Sequence, residues 1–268
     1  MFRTGSVGEM ELIDTHCHLA HGRLRRGLSE ALQRSREAGV IAVICAVGDL
    51  QEAKAALGLA RRHGGIHCMA GVHPHDAKDA DEGYLPCLEA LAAEHENVAI
   101  GEIGLDYHYS FSPPDVQRRV FAEQLDLAGR LGKPIVLHTR EAFDDTLAIL
   151  KDCGVDGRQV VFHSWTEGPQ QTRKALDLGS TISFSGIVTF KQTGELRESG
   201  RLVPDDRLLI ETDAPYLSPE PVRKMKTNEP ANVVHVAACL AAVRDTTVDR
   251  IAELTTANAR RFFHLDTP

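Results

Sequence analysis

A chain of 268 residues, 43% hydrophobic and 25% charged, has room for one large domain or two small ones, and disorder, collagen and coiled coil are excluded as its main architecture. Thirty basic against thirty-eight acidic residues leave a net charge of −8. A broad basic coat for long nucleic acid is therefore excluded, and a polyanionic substrate would need local basic loops or metal ions. No apolar run approaches the roughly 18 residues of a membrane helix. Met1 to Glu9 lacks the apolar core of a signal peptide. Six cysteines without a C-x-x-C pair read as reduced thiols, so a cytoplasmic protein with no membrane partner is expected.

Residues 1–9 read as a leader, an upstream start or a cloning remnant ahead of Met10. From there, short runs rich in Val and Ile recur at Glu11–His16, Ile41–Val47, Ile66–Val72, Val98–Ile103, Pro134–His138, Gln159–His163, Ser180–Ser185 and Arg207–Asp213. Such runs predict parallel strands buried on both faces. Helical periodicity fills gaps between them at Leu28–Ala38, Gln51–His63 and Val116–Leu131, each followed closely by a glycine, and again at Asn232–Ala242 and Val248–Phe263. Eight strands alternating with helices predict a single-domain (β/α)8 TIM barrel over residues 10–268. A doubly wound open sheet is the second reading, weakened because no G-x-G-x-x-G follows an early strand.

The strands end in polar residues. Strand one runs into Asp14-Thr15-His16-Cys17-His18, strand three into His73-Pro74-His75 and strand four through Glu102 to Asp106. Strands five and six end at His138 and His163, and strand eight at Glu211-Thr212-Asp213. In a barrel all C-terminal strand ends share one face. His16 and His18, two apart on a strand, point to the same side. Alone, that pair is better explained by two partly exposed histidines at a strand end than by a metal site. Glu102, His138, His163 and Asp213 change the balance: buried unpaired ionisable groups cost several kcal/mol each, and a pair of divalent ions removes that cost.

In order along the chain, D-T-H-C-H, G-V-H-P-H, G-E-I-G-L-D-Y-H, H-T-R-E-A, I-S-F-S-G-I-V-T-F, L-I-E-T-D-A-P-Y-L, N-E-P and T-T-A-N-A-R-R-F-F resemble the TatD-type metal-dependent deoxyribonucleases. The resemblance spans Met10 to Leu265. It implies that His16, His18 and Asp213 bind one metal, that Glu102 bridges two, and that His138 and His163 bind the second. It also implies a substrate-side role for His73. Arg140 is a candidate phosphate clamp, with a salt bridge as the alternative. Two departures from the family pattern stand out. Ser164-Trp165 replaces the usual residues after the strand-six histidine, and the basic segment Arg223–Lys226 is differently arranged. Trp165 could stack a base or pack. Asp106 and Tyr107 read as support or packing, Glu141, Glu211 and Asn228-Glu229 as loop-orienting residues, and Cys17 as core.

The resulting expectation is a two-metal hydrolase cleaving phosphodiester bonds in DNA, with Asp213 as base and Glu102 setting the metal spacing. Its substrate would be single-stranded or frayed DNA ends, trimmed from the 3′ side. Two divalent ions are expected, Mg, Mn or Zn. The nitrogen-rich ligand set favours Zn, Mn, Co or Ni, whereas the resemblance implies Mg. The alternatives are a metal-dependent amide or ester hydrolase, including cleavage of aminoacyl-RNA esters, and a non-catalytic metal-bound scaffold.

Overall fold

Val/Ile-rich runs and amphipathic runs alternate through a computed structural model that describes residues 10–265. The segment 1–9, read above as a leader, lies outside the described residues. The strands are β1 (Leu12–Cys17), β2 (Val40–Cys45), β3 (Ile66–Ala70), β4 (Asn97–Asp106), β5 (Ile135–Arg140), β6 (Val160–Phe162), β7 (Thr181–Phe184) and β8 (Leu208–Ile210). The helices are α1 (Gly22–Arg25), α2 (Leu28–Glu37), α3 (Leu50–Ala60), α4 (Tyr84–Ala92), α5 (Pro114–Leu131), α6 (Phe143–Asp152), α7 (Pro169–Asp177), α8 (Gly194–Leu202), α9 (Val233–Val243) and α10 (Val248–Phe262). The strands form one sheet in the order β1 to β8, every pair parallel. This is the (β/α)8 barrel that the spacing predicts, and the open-sheet reading falls.

Local chemistry explains the helix positions. Asp49 caps α3 by accepting from the amides of Gln51 and Glu52, an arrangement worth about 1 kcal/mol. Helix α5 starts on Pro114 and stops at Gly132, whose φ of 62° suits a residue without a side chain. Its inner face carries Val120, Phe121, Leu125 and Ala128, but also two buried glutamines, Gln117 and Gln124. All ten residues of β4 are buried, as a strand covered on both faces must be. Among the described residues, no helix is long and apolar enough to cross a membrane.

The ring closes by a seam rather than a ladder. Cys17 and Ala214 form an isolated parallel bridge. Beside it the Asp213 amide donates to the His16 carbonyl at 2.9 Å and the His18 amide to the Ala214 carbonyl at 2.7 Å. Strand β8 is shorter than the run Arg207–Asp213. Its pairing with β7 ends at Ile210, after which the chain leaves β7 to meet β1. Asp213 sits at φ 55° in that turn. The Asp14 carboxylate fastens the seam, accepting from the Thr212 amide at 2.8 Å and the Thr212 hydroxyl at 2.6 Å.

Candidate metal centre

Glu102 lies on β4 and is buried, its two oxygens facing different imidazoles. Oε2 is 3.2 Å from His16 Nε2 and 3.8 Å from His18 Nε2. Oε1 is 2.7 Å from His163 Nε2, 2.9 Å from His138 Nδ1 and 3.3 Å from His73 Nε2. Asp213 completes the Oε2 side: its Oδ1 is 3.5 Å from His18 Nε2 and 3.9 Å from His16 Nε2. The six expected ligands therefore converge. His73, expected against substrate, stands in the same cluster beside Glu102 and His138.

Close strand approach makes this possible. Gly104 adopts φ +138°, and a Cβ there would collide with the His138 carbonyl. Gly71 packs so near β4 that a Cβ would lie 2.8 Å from the Gly101 carbonyl carbon. A larger residue at either position would push β3, β4 and β5 apart and spread the imidazoles they carry.

Behind the imidazoles stand Asp106, read above as support or packing, and Glu211, read as loop-orienting, together with two glutamines to which the sequence reading gives no role. Asp106 Oδ2 is 3.1 Å from His138 Nε2 and 2.8 Å from His75 Nε2, so it orients the ring that presents Nδ1 to Glu102. Glu211 Oε1 accepts from the Ser164 amide at 2.7 Å and lies 3.2 Å from His163 Nδ1, while Ser183 donates to its Oε2 at 2.5 Å. Gln117 brackets the Asp106 backbone, accepting from its amide at 2.8 Å and donating to its carbonyl at 3.0 Å. Seven residues on, Gln124 does the same to Val72, the residue before His73, at 2.7 and 3.0 Å. The signal for these two was a polar residue inside the apolar stripe of α5, but only the fold reveals what it grips.

The donor set suits divalent cations. Among the described residues both ring nitrogens of His16 are buried without a hydrogen-bond partner, and each such orphan carries a desolvation cost of about 1–3 kcal/mol. Three groups have ligand atoms all within 4.8 Å of one another: His16, His18 and Asp213; His16, Glu102 and His163; and His73, Glu102 and His138. Burial pushes the Glu102 pKa up, but the imidazoles of His163, His73 and His16 and the hydrogen bond with His138 hold it well below the usual carboxylate range. Asp213 follows the same pattern: burial raises it, and His18, His16 and His163 bring it below its ordinary value. Burial works against a proton on His163, yet Glu102 and Glu211 hold its pKa well above the ordinary value. For His18 and His138 burial likewise opposes the proton, and neighbouring carboxylates raise both. Burial depresses His16, helped by His163, and pushes His73 down to about 4. A metal entering this centre would therefore displace protons from the imidazoles whose pKa values are raised.

The remaining candidates are dispersed. Arg140, exposed at the end of β5, lies over the Tyr109 ring at 4.7 Å. Arg223 lies over Phe190 at 3.8 Å, with Lys224 and Lys226 exposed beside it in the loop after β8. Trp165 is 2% exposed and donates from its ring N–H to Thr172 at 2.9 Å, so it packs against Phe143 and Phe162 and offers no face to a base. Cys17 is core, as its place between two outward histidines predicts.

A parallel (β/α)8 barrel with imidazoles and carboxylates meeting at its C-terminal rim defines a metal-dependent hydrolase. Residues 13–264 match the family model described as TatD related DNase, and the chain belongs to that family. It is 37% identical over 255 residues to the uncharacterized metal-dependent hydrolase YabD of Bacillus subtilis, covering 95% of this chain and all of that one. It is 36% identical over 259 residues to the 3′-5′ ssDNA/RNA exonuclease TatD of Klebsiella pneumoniae, covering 95% of this chain and 98% of the relative. The crystal structure of YJJV, a TatD homologue from Escherichia coli, superposes with a TM-score of 0.90 at 28% identity, covering 96% and 99% of the two chains.

Proposed function

We propose that this hydrolase uses two divalent ions to cleave phosphodiester bonds, trimming single-stranded or frayed DNA from the 3′ end in the cytoplasm. One observation carries the reading: the two oxygens of Glu102 face separate imidazole sets, His16 and His18 on one side and His73, His138 and His163 on the other. Glu102 would hold such ions together with His16, His18 and Asp213 on one side and with His138 and His163 on the other. Ions held there would polarise a phosphoryl oxygen and acidify a water. Zn or Mn suits the nitrogen-rich set better than Mg.

The chain's own residues account for the rest. Asp213, held below its ordinary pKa and partly open at the mouth, would accept a proton at Oδ2, leaving Oδ1 turned to His18 and His16, and return it to the leaving oxygen. Glu211 and Asp106 hold His163 and His138 in orientation. Arg140, Arg223, Lys224 and Lys226 are the exposed cations following β5 and β8 that can meet phosphates. The relative named as a 3′-5′ ssDNA/RNA exonuclease supports the substrate class.

The test is hydrolysis by metal-reconstituted protein of single strands labelled at either end, of a circular strand, and of amide and ester substrates. Loss of nucleotides from the 3′ end of linear strands alone is expected. Equal cleavage of the circle would exclude the need for an end, and turnover of esters or amides without strand cleavage would replace the nuclease reading.

A further inference from the structure

Beyond the centre, the loop that follows β4 carries two exposed aromatic rings, Tyr109 at 48% and Phe111 at 56% exposure. Their planes are 12° apart with centroids at 5.3 Å, an offset stack. A lone exposed aromatic residue is ordinary, but two stacked rings held open to water leave apolar surface that a ligand could cover.

The loop is fixed in place. The Tyr109 amide donates to Asp106 Oδ1 at 2.9 Å, the Ser112 hydroxyl donates to the His75 carbonyl at 2.7 Å, and Gln117 holds the Ser112 carbonyl at 2.8 Å. The pair also abuts the centre. The His75 ring meets Phe111 edge to face at 4.8 Å and Tyr109 at 5.5 Å, and its centroid is 6.1 Å from that of His138. The Arg140 guanidinium lies over Tyr109 at 4.7 Å. Planar π-faces beside a cation, one side chain away from a candidate metal ligand, fit a base and its phosphate rather than an aliphatic group.

We propose that Tyr109 and Phe111, with Arg140 laid on Tyr109, form a nucleobase platform that seats an unstacked base of the strand entering the centre. The platform rests on the phosphodiesterase reading above. It makes the chain select single strands, because bases inside a duplex have no free face. The preference is tolerant of sequence, since every base offers a π-face.

The experiment uses metal-loaded enzyme on two single strands of equal length and charge, one with normal 3′-terminal nucleotides and one with abasic spacers there. A 2-aminopurine near the 3′ end, whose fluorescence falls when it stacks, reports binding directly. The wild type should show a KM about tenfold or more lower on the base-bearing strand, and should quench the probe. Tyr109→Ala with Phe111→Ala should remove both the preference and the quench. Tyr109→Phe should keep them, whereas Tyr109→Leu with Phe111→Leu, equally apolar but without π-faces, should not. Equal KM for the two strands in the wild type, or an undiminished quench in the double alanine variant, would overturn the platform while leaving the nuclease standing. Hydrolysis of neither strand would overturn the nuclease reading and the platform with it.

Discussion

The two sides of Glu102 are built differently. On the Oε1 side, carboxylates stand behind the imidazoles: Asp106 behind His138 and Glu211 behind His163. On the Oε2 side, His16 has no hydrogen-bond partner at either ring nitrogen among the described residues, and its backbone is tied into the seam that joins β1 to the chain after β8. The Oε1 side is therefore held by side-chain partners whether or not a metal is present. The Oε2 side is held by its backbone, and the buried His16 nitrogens are groups that a bound ion would satisfy.

The most severe way to break this contrast is to remove the group both sides share. Glu102→Gln should lower divalent metal content on both sides and reduce strand hydrolysis by about 10⁴-fold or more, read by elemental analysis and turnover. Full retention of two ions would show that Glu102 is no bridge. Asp213→Asn confines the damage to the Oε2 side. Turnover should fall about 10²–10⁴-fold with a modest loss of metal, and near-normal turnover at full occupancy would move the base elsewhere. Asp106→Asn probes the opposite side, where metal affinity should weaken about 10- to 100-fold in a competition titration with a chelator. An unchanged affinity would mean that packing alone orients His138.

A pH series sharpens the contrast. The pKa values of His18, His138 and His163 stand above the ordinary 6.5 because carboxylates outweigh burial. In metal-free protein the stability they contribute is complete below that ordinary value and is lost as pH rises through their raised values. Metal needs the same nitrogens unprotonated, so the gain in Tm on adding metal should grow over the same rise. Each tenfold gain in affinity adds about 1.4 kcal/mol, or about 2–4 °C. A gain that shrinks as pH increases would contradict the charge assignment. The smallest effect belongs to the basic loop after β8. Replacing Arg223, Lys224 or Lys226 singly by alanine should flatten the slope of log affinity against log salt by about 0.7 for each phosphate the loop ceases to neutralise. An unaltered slope would mean that none of them meets the strand.

Much of this was legible from residue order because a parallel barrel imposes strong rules. Strands buried on both faces must read as apolar runs, so an ionisable residue within or just after one is conspicuous, as Glu102, His138 and His163 are. Helix α5 is long enough for its period to show, whereas α7 and α8, of nine residues each and rich in polar groups, give too few turns. Partnerships across the sheet were not legible. Nothing local marks Asp14 as the clamp on Thr212, 198 positions away, or Gln124 as the grip on Val72. The family resemblance implies a substrate-side role for His73, and it is the closeness of β3 to β4 that sets it 3.3 Å from Glu102. The early end of β8 followed from the seam, which no pattern in Arg207–Asp213 announces.

That seam also has a bearing on when the protein can become active. Its donors and acceptors come from opposite ends of the chain, and a contact spanning 198 residues costs about 5 kcal/mol of closure entropy before it returns anything. Long-range closures of this kind form late in folding. Because the same closure brings Asp213 to His16 and His18, a chain that has not yet formed it would lack the proton acceptor proposed for Asp213. If Asp213 acts as proposed, hydrolytic competence is timed to the last strand, and activity in a refolding experiment should begin only when the ring shuts.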